Sequence, residues 1–453
     1  MLADAYLPSP MTVPLQIVER YGARYAAALW TPGGLGELMA ALRRGGRALS
    51  ELPDDRLLGA WGETVEAFLD QRSAERRGLD DALVRMCRLS PAGLAAGLEA
   101  VLGGVRREAA GELLARVGGV WSSRGAGSGP GGQPLPLRQE AAAPVAATAA
   151  AGRLGPVVVV LASNLPALAV QPLLPSLALR RPVLLKSPSA EPLFAPAFLS
   201  ALARRQPALA GAMAAATWRG GDPLLEAPVL AGAAKVLAYG EEEALADLGR
   251  RAPGRVVGYG PKLSVAVVGA GTDPAAAAPG LARDVALFDQ RGCLSITAVY
   301  TTGDAAALAR WLAAALADLA LRWPPGPVEP QAAAAVQQAR LEAEMRGLQP
   351  AAGWPAVACG TVLLEPEPAL CPSPGLRTVR IHPLDRLDRL TEEILPPWRG
   401  KLQGAALAGE EAWRLAPGLA ALGVSRCAPP GELQSPSATW HNGGVDPLHA
   451  LTC

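Results

Sequence analysis

Six cysteines, three histidines and four lysines occur in 453 residues, so each nucleophile, ligand or fixed cation can be weighed singly. Cys293 stands in DQRGCLSITAVY, where a helical stretch gives way to a β-branched strand. A cysteine at a strand edge behind Gly292 can present its sulfur to a cleft, and a thiolate stabilised by nearby donors is a strong nucleophile. Free cysteines are also among the most buried residue types, so position alone favours a structural thiol. Asn164, in VVVVLASNLPALA, follows a buried-strand pattern, where open α/β sheets hold their ligands. Its amide can donate to a developing oxyanion; equally, it can cap the helix that follows. Lys186 closes the next strand, in RRPVLLKSPSAEP. There it can reach a ribose or phosphate, or simply lie at the surface. Scarcity weakens the surface reading: lysine occurs only at Lys186, Lys235, Lys262 and Lys401, and the rest of the 42 basic residues are arginine.

Other chemistries find less support. Cys87, Cys293, Cys359, Cys371, Cys427 and Cys453 form no CxxC pair. A disulfide scaffold is excluded, and free thiols in a reducing cytoplasm are expected. His382, His441 and His449 lack metal-ligand spacing, so no metal site is expected. Gly269-Ala270-Gly271 follows a strand pattern but has no third glycine, so it reads as a loop rather than a dinucleotide fingerprint. A net charge of +1 argues against nonspecific nucleic-acid binding, which needs a basic excess. The first residues, MLADAYLPSPMTVPLQ, have no basic stretch before an apolar run and do not read as a signal peptide. Val157 to Leu179 is uncharged and long enough to cross a bilayer. Four consecutive valines and then Asn164, Pro166, Pro172 and Pro175 instead suggest a buried strand, a turn and a helix.

The elements that must position these residues follow a regular order. Residues 1 to about 117 read as mostly helical, most clearly from Pro91 to Val117 with Ser90 as N-cap. Gly118 to Gln133 is a Gly/Ser-rich linker. Strand patterns then alternate with helices: Val157–Ala162, Arg181–Lys186, Ala234–Tyr239 and Arg255–Tyr259, and in a second series Leu263–Val268, Leu294–Thr301, Val362–Leu364 and Thr378–His382. Such alternation predicts parallel sheets with helices on both faces. Pro429 onward is Pro/Gly-rich and reads as irregular.

The order strand–SNLP–helix, strand–LLKSPSAEP, AYG, GPKLS and DQRGCLS resembles the aldehyde dehydrogenase superfamily. Together with LSPAGLAAGLEAVL, LQGAALAG and GELQSPSATWHNGG, it is most similar to the acyl-CoA reductase family, the LuxC-type fatty-acid reductases, over residues 80 to 453. The resemblance implies an α/β, aldehyde dehydrogenase-like fold with two Rossmann-like parallel-sheet domains and an N-terminal helical region. The implied divisions are 1–136 for the helical region and linker, 137–262 for a nicotinamide-cofactor domain, 263–428 for the catalytic domain and 429–453 for a C-terminal tail. Cys293 matches the superfamily's nucleophile and Asn164 its oxyanion-hole amide. Lys186, Ser189, Ser163 and Gly240 match cofactor-binding positions. Ser189 replaces the glutamate that many NAD-preferring relatives carry three residues after the lysine, which favours NADPH, with NADH as the alternative.

Two departures bear on the chemistry. Hydrolytic relatives carry a water-activating glutamate where this sequence has Gly258, in VGYGPK, and no carboxylate lies between Arg251 and Lys262. Reduction of a thioester needs no activated water, so this loss points to acyl transfer involving a thiol. Glu241 follows Gly240 where a serine near the cofactor pyrophosphate is usual, and a carboxylate there repels phosphate. The expected activity is NAD(P)H-dependent reduction of acyl-CoA or another acyl thioester to a fatty aldehyde through an acyl-Cys293 intermediate. With 4% aromatic residues, an acyl tunnel would be lined by Leu, Val and Ala. The alternatives are a CoA-acylating aldehyde dehydrogenase running oxidatively, and a non-catalytic scaffold subunit. The expected partners are the acyl thioester, further copies of the chain, or an acyl-donor protein, in the cytoplasm.

Overall fold

Valines 157 to 160 form the middle of the first sheet because β-branched side chains suit a strand buried on both faces. A computed structural model describes residues 1–117, 155–348 and 354–452. The Gly118–Gln133 linker and the expected boundary at 136/137 lie outside the described residues. Thirteen strands occur among the described residues. Strands β1 (Leu15–Arg20) and β2 (Ala23–Ala28) form an antiparallel hairpin. The first parallel sheet comprises β3 (Val157–Val160), β4 (Val183–Ser187), β5 (Met213–Thr217), β6 (Lys235–Tyr239) and β7 (Val256–Tyr259), in the order β5-β4-β3-β6-β7.

The two faces of this sheet pack differently, as strand alternation requires. Val157, Val159 and Leu185 face the helices Asp54–Leu69, Pro91–Gly103, Val170–Ala178 and Phe194–Arg205. Val158, Leu184 and Val236 face Leu35, Leu38, Met39 and Leu42 of the helix Pro32–Ser50. An aromatic cluster docks the N-terminal helices: Trp61 and Phe68 meet Phe194 and Phe198, with ring centroids 5.1–5.5 Å apart. Each such pair contributes about 0.5–1.5 kcal/mol beyond its buried area.

The second parallel sheet comprises β8 (Leu263–Val268), β9 (Ile296–Thr301), β10 (Thr361–Leu364), β11 (Thr378–Pro383), β12 (Leu402–Ala408) and β13 (Arg426–Ala428), in the order β10-β11-β9-β8-β12-β13. Its β8 follows β7 after only Gly260, Pro261 and Lys262. That short crossing sets the C-terminal ends of the first sheet against the N-terminal ends of the second.

Most expected elements are present, with three differences. The stretch Pro91–Val117 is two helices, Pro91–Gly103 and Arg107–Val117, because Gly103 and Gly104 interrupt it. Ser90 does cap the first, accepting from Gly93 N at 3.1 Å. The N-terminal region also contains the β1–β2 hairpin. Finally, β5 and β12 emerge from Ala-rich segments whose composition carries little strand signal, and β13 is only three residues long. The uncharged stretch Val157–Leu179 divides into β3, a turn and the helix Val170–Ala178. No helix among the described residues is long and apolar enough to cross a membrane.

Candidate active site

Cys293 sits in the turn that enters β9, and the residues before it explain how it is held. Phe288, Asp289 and Gln290 all adopt the left-handed conformation, with φ of 57°, 50° and 65°. That backbone costs a non-glycine residue roughly 1–2 kcal/mol and persists only where surroundings enforce it. Here each side chain of the Asp289-Gln290-Arg291 run is anchored. Asp289 accepts from buried Arg377 at 2.7 and 3.0 Å and from Gly326 N at 3.0 Å. Gln290 donates to the carbonyls of Ile296 and Thr378 at 2.8 and 2.6 Å and accepts from Thr378 N at 2.8 Å. Arg291 donates to the carbonyls of Phe288 and Cys87 at 2.9 and 2.7 Å. The DQRGC segment is therefore a cradle for the cysteine.

The turn itself is fastened from three sides. Ser264 Oγ, on β8, donates to the Cys293 carbonyl at 2.8 Å. Ser295 Oγ accepts from Gly292 N at 3.2 Å and donates to Gln434 Oε1 at 3.3 Å. A Cβ at position 292 would lie 2.8 Å from Gln434 Oε1, so a side chain there would push the Gln434 amide aside. Asn164 Nδ2, from the loop after β3, donates to the Arg291 carbonyl at 3.0 Å. The amide thus joins the two sheets next to the cysteine and keeps a second N–H; its Oδ1 is buried without a partner.

The thiol is half-buried. Burial pushes its pKa up to about 11, opposed by its own backbone N–H, that of Leu294 and the Lys262 charge. Tyr239, at the end of β6, stacks on Tyr259 with centroids 4.7 Å apart and hydrogen-bonds Asn442. Burial, then Tyr259, raises its pKa, with a further contribution from Cys293. Gly258, near the end of β7, carries no side chain; a Cβ there would meet Leu245 at 3.2 Å.

The cofactor candidates lie at the C-terminal edge of the first sheet. Lys186 is 8% exposed, its Nζ 5.3 Å from the Trp218 ring centroid. Burial lowers its pKa, partly offset by Glu226. Among the described residues its ammonium makes no hydrogen bond or ion pair; on the other face of the strand, Ser187 Oγ is buried without a partner. A Lys186 ammonium without a protein acceptor fits a ligand rich in hydroxyls or phosphate. The Ser189 carbonyl accepts from Arg20, whereas Ser163 is exposed and its side chain makes no hydrogen bond among the described residues. Gly240 N donates to the Tyr259 carbonyl at 3.2 Å. Glu241 is exposed at the start of the helix Glu242–Arg251 and makes no cap to its amides.

Residues unseen in the sequence complete the site. Gln434 and Asn442 come from the C-terminal segment, which also donates from Gln434 Nε2 to the Asp284 carbonyl at 2.6 Å. The GELQSPSATWHNGG segment was their only signal.

The family model for acyl-CoA reductase (LuxC) matches residues 142–453. This chain belongs to the acyl-CoA reductase (LuxC) family. Over 149 residues it is 30% identical to the long-chain acyl-protein thioester reductase of Aliivibrio fischeri, a match covering 32% of this chain and 31% of that protein. With long-chain acyl-protein thioester reductase 2 of Photobacterium leiognathi it shares 28% identity over 149 residues, with the same coverage. The match thus spans about a third of each curated relative. Among solved structures, an E. coli NADP-dependent enzyme aligns with a TM-score of 0.69 at 14% identity, covering 99% of this chain and 96% of that one. An oxidoreductase from Marinobacter aquaeolei has a TM-score of 0.69 at 13% identity, covering 98% and 93%. Aldehyde dehydrogenase C of Pseudomonas syringae, crystallised with NAD+ and octanal, has a TM-score of 0.63 at 15% identity, covering 94% and 88%. This acyl-CoA reductase family member therefore has the aldehyde dehydrogenase fold.

Proposed function

We propose that this chain reduces an acyl thioester, such as acyl-CoA, to an aldehyde, with Cys293 as the nucleophile. The observation that carries this reading is the anchored Cys293 turn, joined to Asn164 and lacking a carboxylate at position 258. Cys293 gives up its thiol proton to solvent, and Sγ attacks the thioester carbonyl. The new Sγ–C bond forms as the bond to the donor sulfur breaks, and the donor leaves as a thiolate that takes up a proton. The free N–H of Asn164 and the backbone N–H groups near Cys293 support the negative charge on the carbonyl oxygen. A nicotinamide cofactor, NADPH in this reading, supplies the hydride when bound. Lys186 and Ser189 would hold its adenosine ribose, with Ser163 and Gly240 bordering the rest of the molecule. The acyl carbon on Cys293 takes up that hydride as a new C–H bond, and collapse of the resulting oxyanion breaks the Sγ–C bond, releasing the aldehyde and returning the cysteine thiolate. Because Leu245 occupies the space beside Gly258, no side chain there activates water, which protects the acyl-cysteine from hydrolysis.

The test is mass spectrometry of the protein after incubation with a panel of acyl-CoAs, followed by aldehyde measurement with NADPH. An acyl adduct on Cys293, absent in Cys293→Ala, is expected. Undiminished aldehyde formation by that variant would refute the reading. Assays in both directions separate the reductive reading from CoA-acylating aldehyde oxidation.

A further inference from the structure

We infer that Arg20, on the N-terminal hairpin, recognises the 2′-phosphate of NADPH beside Lys186 and Ser189; this rests on the cofactor reading above. The hairpin is not an appendage remote from the cofactor sheet. Tyr6 N donates to the Ala215 carbonyl on β5 at 2.9 Å, and Ala215 N returns a bond to the Tyr6 carbonyl at 3.0 Å. Thr217 Oγ1, at the end of β5, donates to the Asp4 carbonyl at 3.3 Å. Leu7, Met11 and Trp30 pack in the same apolar cluster as Trp218, over whose ring Lys186 stands. These contacts fix the N-terminal segment at the edge of the sheet where β4 and β5 end.

Arg20 closes the arrangement. Its Nη1 donates to the carbonyl of Ser189, three residues beyond Lys186. It has no carboxylate partner among the described residues, and its side chain is exposed. One backbone bond therefore orients the guanidinium while most of its N–H donors remain open. Lys186, which feels the Glu226 carboxylate but forms no ion pair with it, contributes a second cation on the same edge, and Arg219, after β5, is exposed nearby in sequence. A ribose hydroxyl can satisfy an ammonium alone. A phosphate ester adds anionic oxygens that match the forked donors of arginine. Arg20 accordingly acts on the phosphorylated cofactor and is indifferent to the unphosphorylated one.

Titration calorimetry with NADPH, NADH, 2′,5′-ADP and ADP tests this on the full chain. Arg20→Ala is expected to weaken NADPH and 2′,5′-ADP about ten-fold or more, leave NADH and ADP unchanged, and keep the melting temperature. Arg20→Lys should recover part of the loss. If wild-type protein prefers NADPH and Arg20→Ala leaves that preference intact, Arg20 is not the determinant. Equal weakening of both cofactors refutes the inference in the same way. A wild-type protein that binds NADH but neither 2′-phosphate compound instead overturns the NADPH reading, and the role of Arg20 with it.

Discussion

Ser295 Oγ and Gln434 Oε1, 139 positions apart, meet at 3.3 Å directly behind Gly292. The same hydroxyl accepts from Gly292 N, and Gln434 Nε2 is held by the Asp284 carbonyl. The C-terminal segment therefore sets the orientation of the turn that presents Cys293. Gln434→Met, which keeps size but loses both bonds, should slow acylation of Cys293 by acyl-CoA about ten-fold. Alkylation by iodoacetamide, a small reagent with looser geometric demands, should change less. In a double-mutant cycle with Ser295→Ala the losses should be non-additive; full additivity would show that the pair does not act as a unit.

Asn164 joins the sheets through the Arg291 carbonyl. Replacing it with alanine removes that link and the open amide donor together. Acyl transfer should fall about a hundred-fold, as expected for an oxyanion donor, while stability falls by only about 1 kcal/mol. Single-turnover acylation and thermal unfolding separate the two effects. A loss of stability with unchanged acylation would make Asn164 purely structural.

The Cys293 thiol, raised by burial to about 11, is protonated at neutral pH before substrate binds. Its alkylation rate should therefore climb about ten-fold per pH unit from neutrality upward, following the thiolate fraction. Lys262 pulls the pKa down, so Lys262→Met should slow labelling at any pH below the plateau. Site-resolved mass spectrometry distinguishes Cys293 from the other thiols. A rate already flat near neutrality would show that the thiolate is stabilised in the free protein.

Asp284 is 1% exposed and accepts from Gly431 N at 2.6 Å. Burial raises its pKa from 3.8 to about 7, against the pull of the Gly431 and Gln434 hydrogen bonds. The folded chain thus holds this proton more tightly than the unfolded chain. Its contribution to stability is complete below the unfolded pKa and is lost as pH rises through the folded one. Glu191, raised by burial to about 7, has the same sign. Asp284→Asn should flatten the decline in melting temperature across this window and stabilise the protein by about 1 kcal/mol or more above it. Parallel curves for parent and variant would contradict the assignment.

Local pattern and resemblance made different parts of the molecule legible. β3 was readable because four β-branched residues leave few alternatives, and Ser90 because a cap acts within one helical turn. Asn164, Lys186 and Cys293 became conspicuous only through the order of their motifs; each alone had an ordinary structural reading. The hairpin at 15–28 was missed because β1 is exposed along most of its length and shows no alternation. β12, in LQGAALA, is fully buried, and its small side chains carry no period.

The amino-acid sequence determined the alternation of strands and helices and the absence of a carboxylate near Gly258, because both are properties of neighbours along the chain. It also determined that Cys293 follows a glycine. Only the tertiary structure decided what surrounds these residues. Gln434 reaches Ser295 across 139 positions and Arg20 reaches Ser189 across 169. Contacts at such separation depend on how the sheets, the hairpin and the C-terminal segment pack, and no local spacing encodes them. The same holds for the reactivity of the thiol: its composition is written in one residue, but its burial and its charges come from several elements.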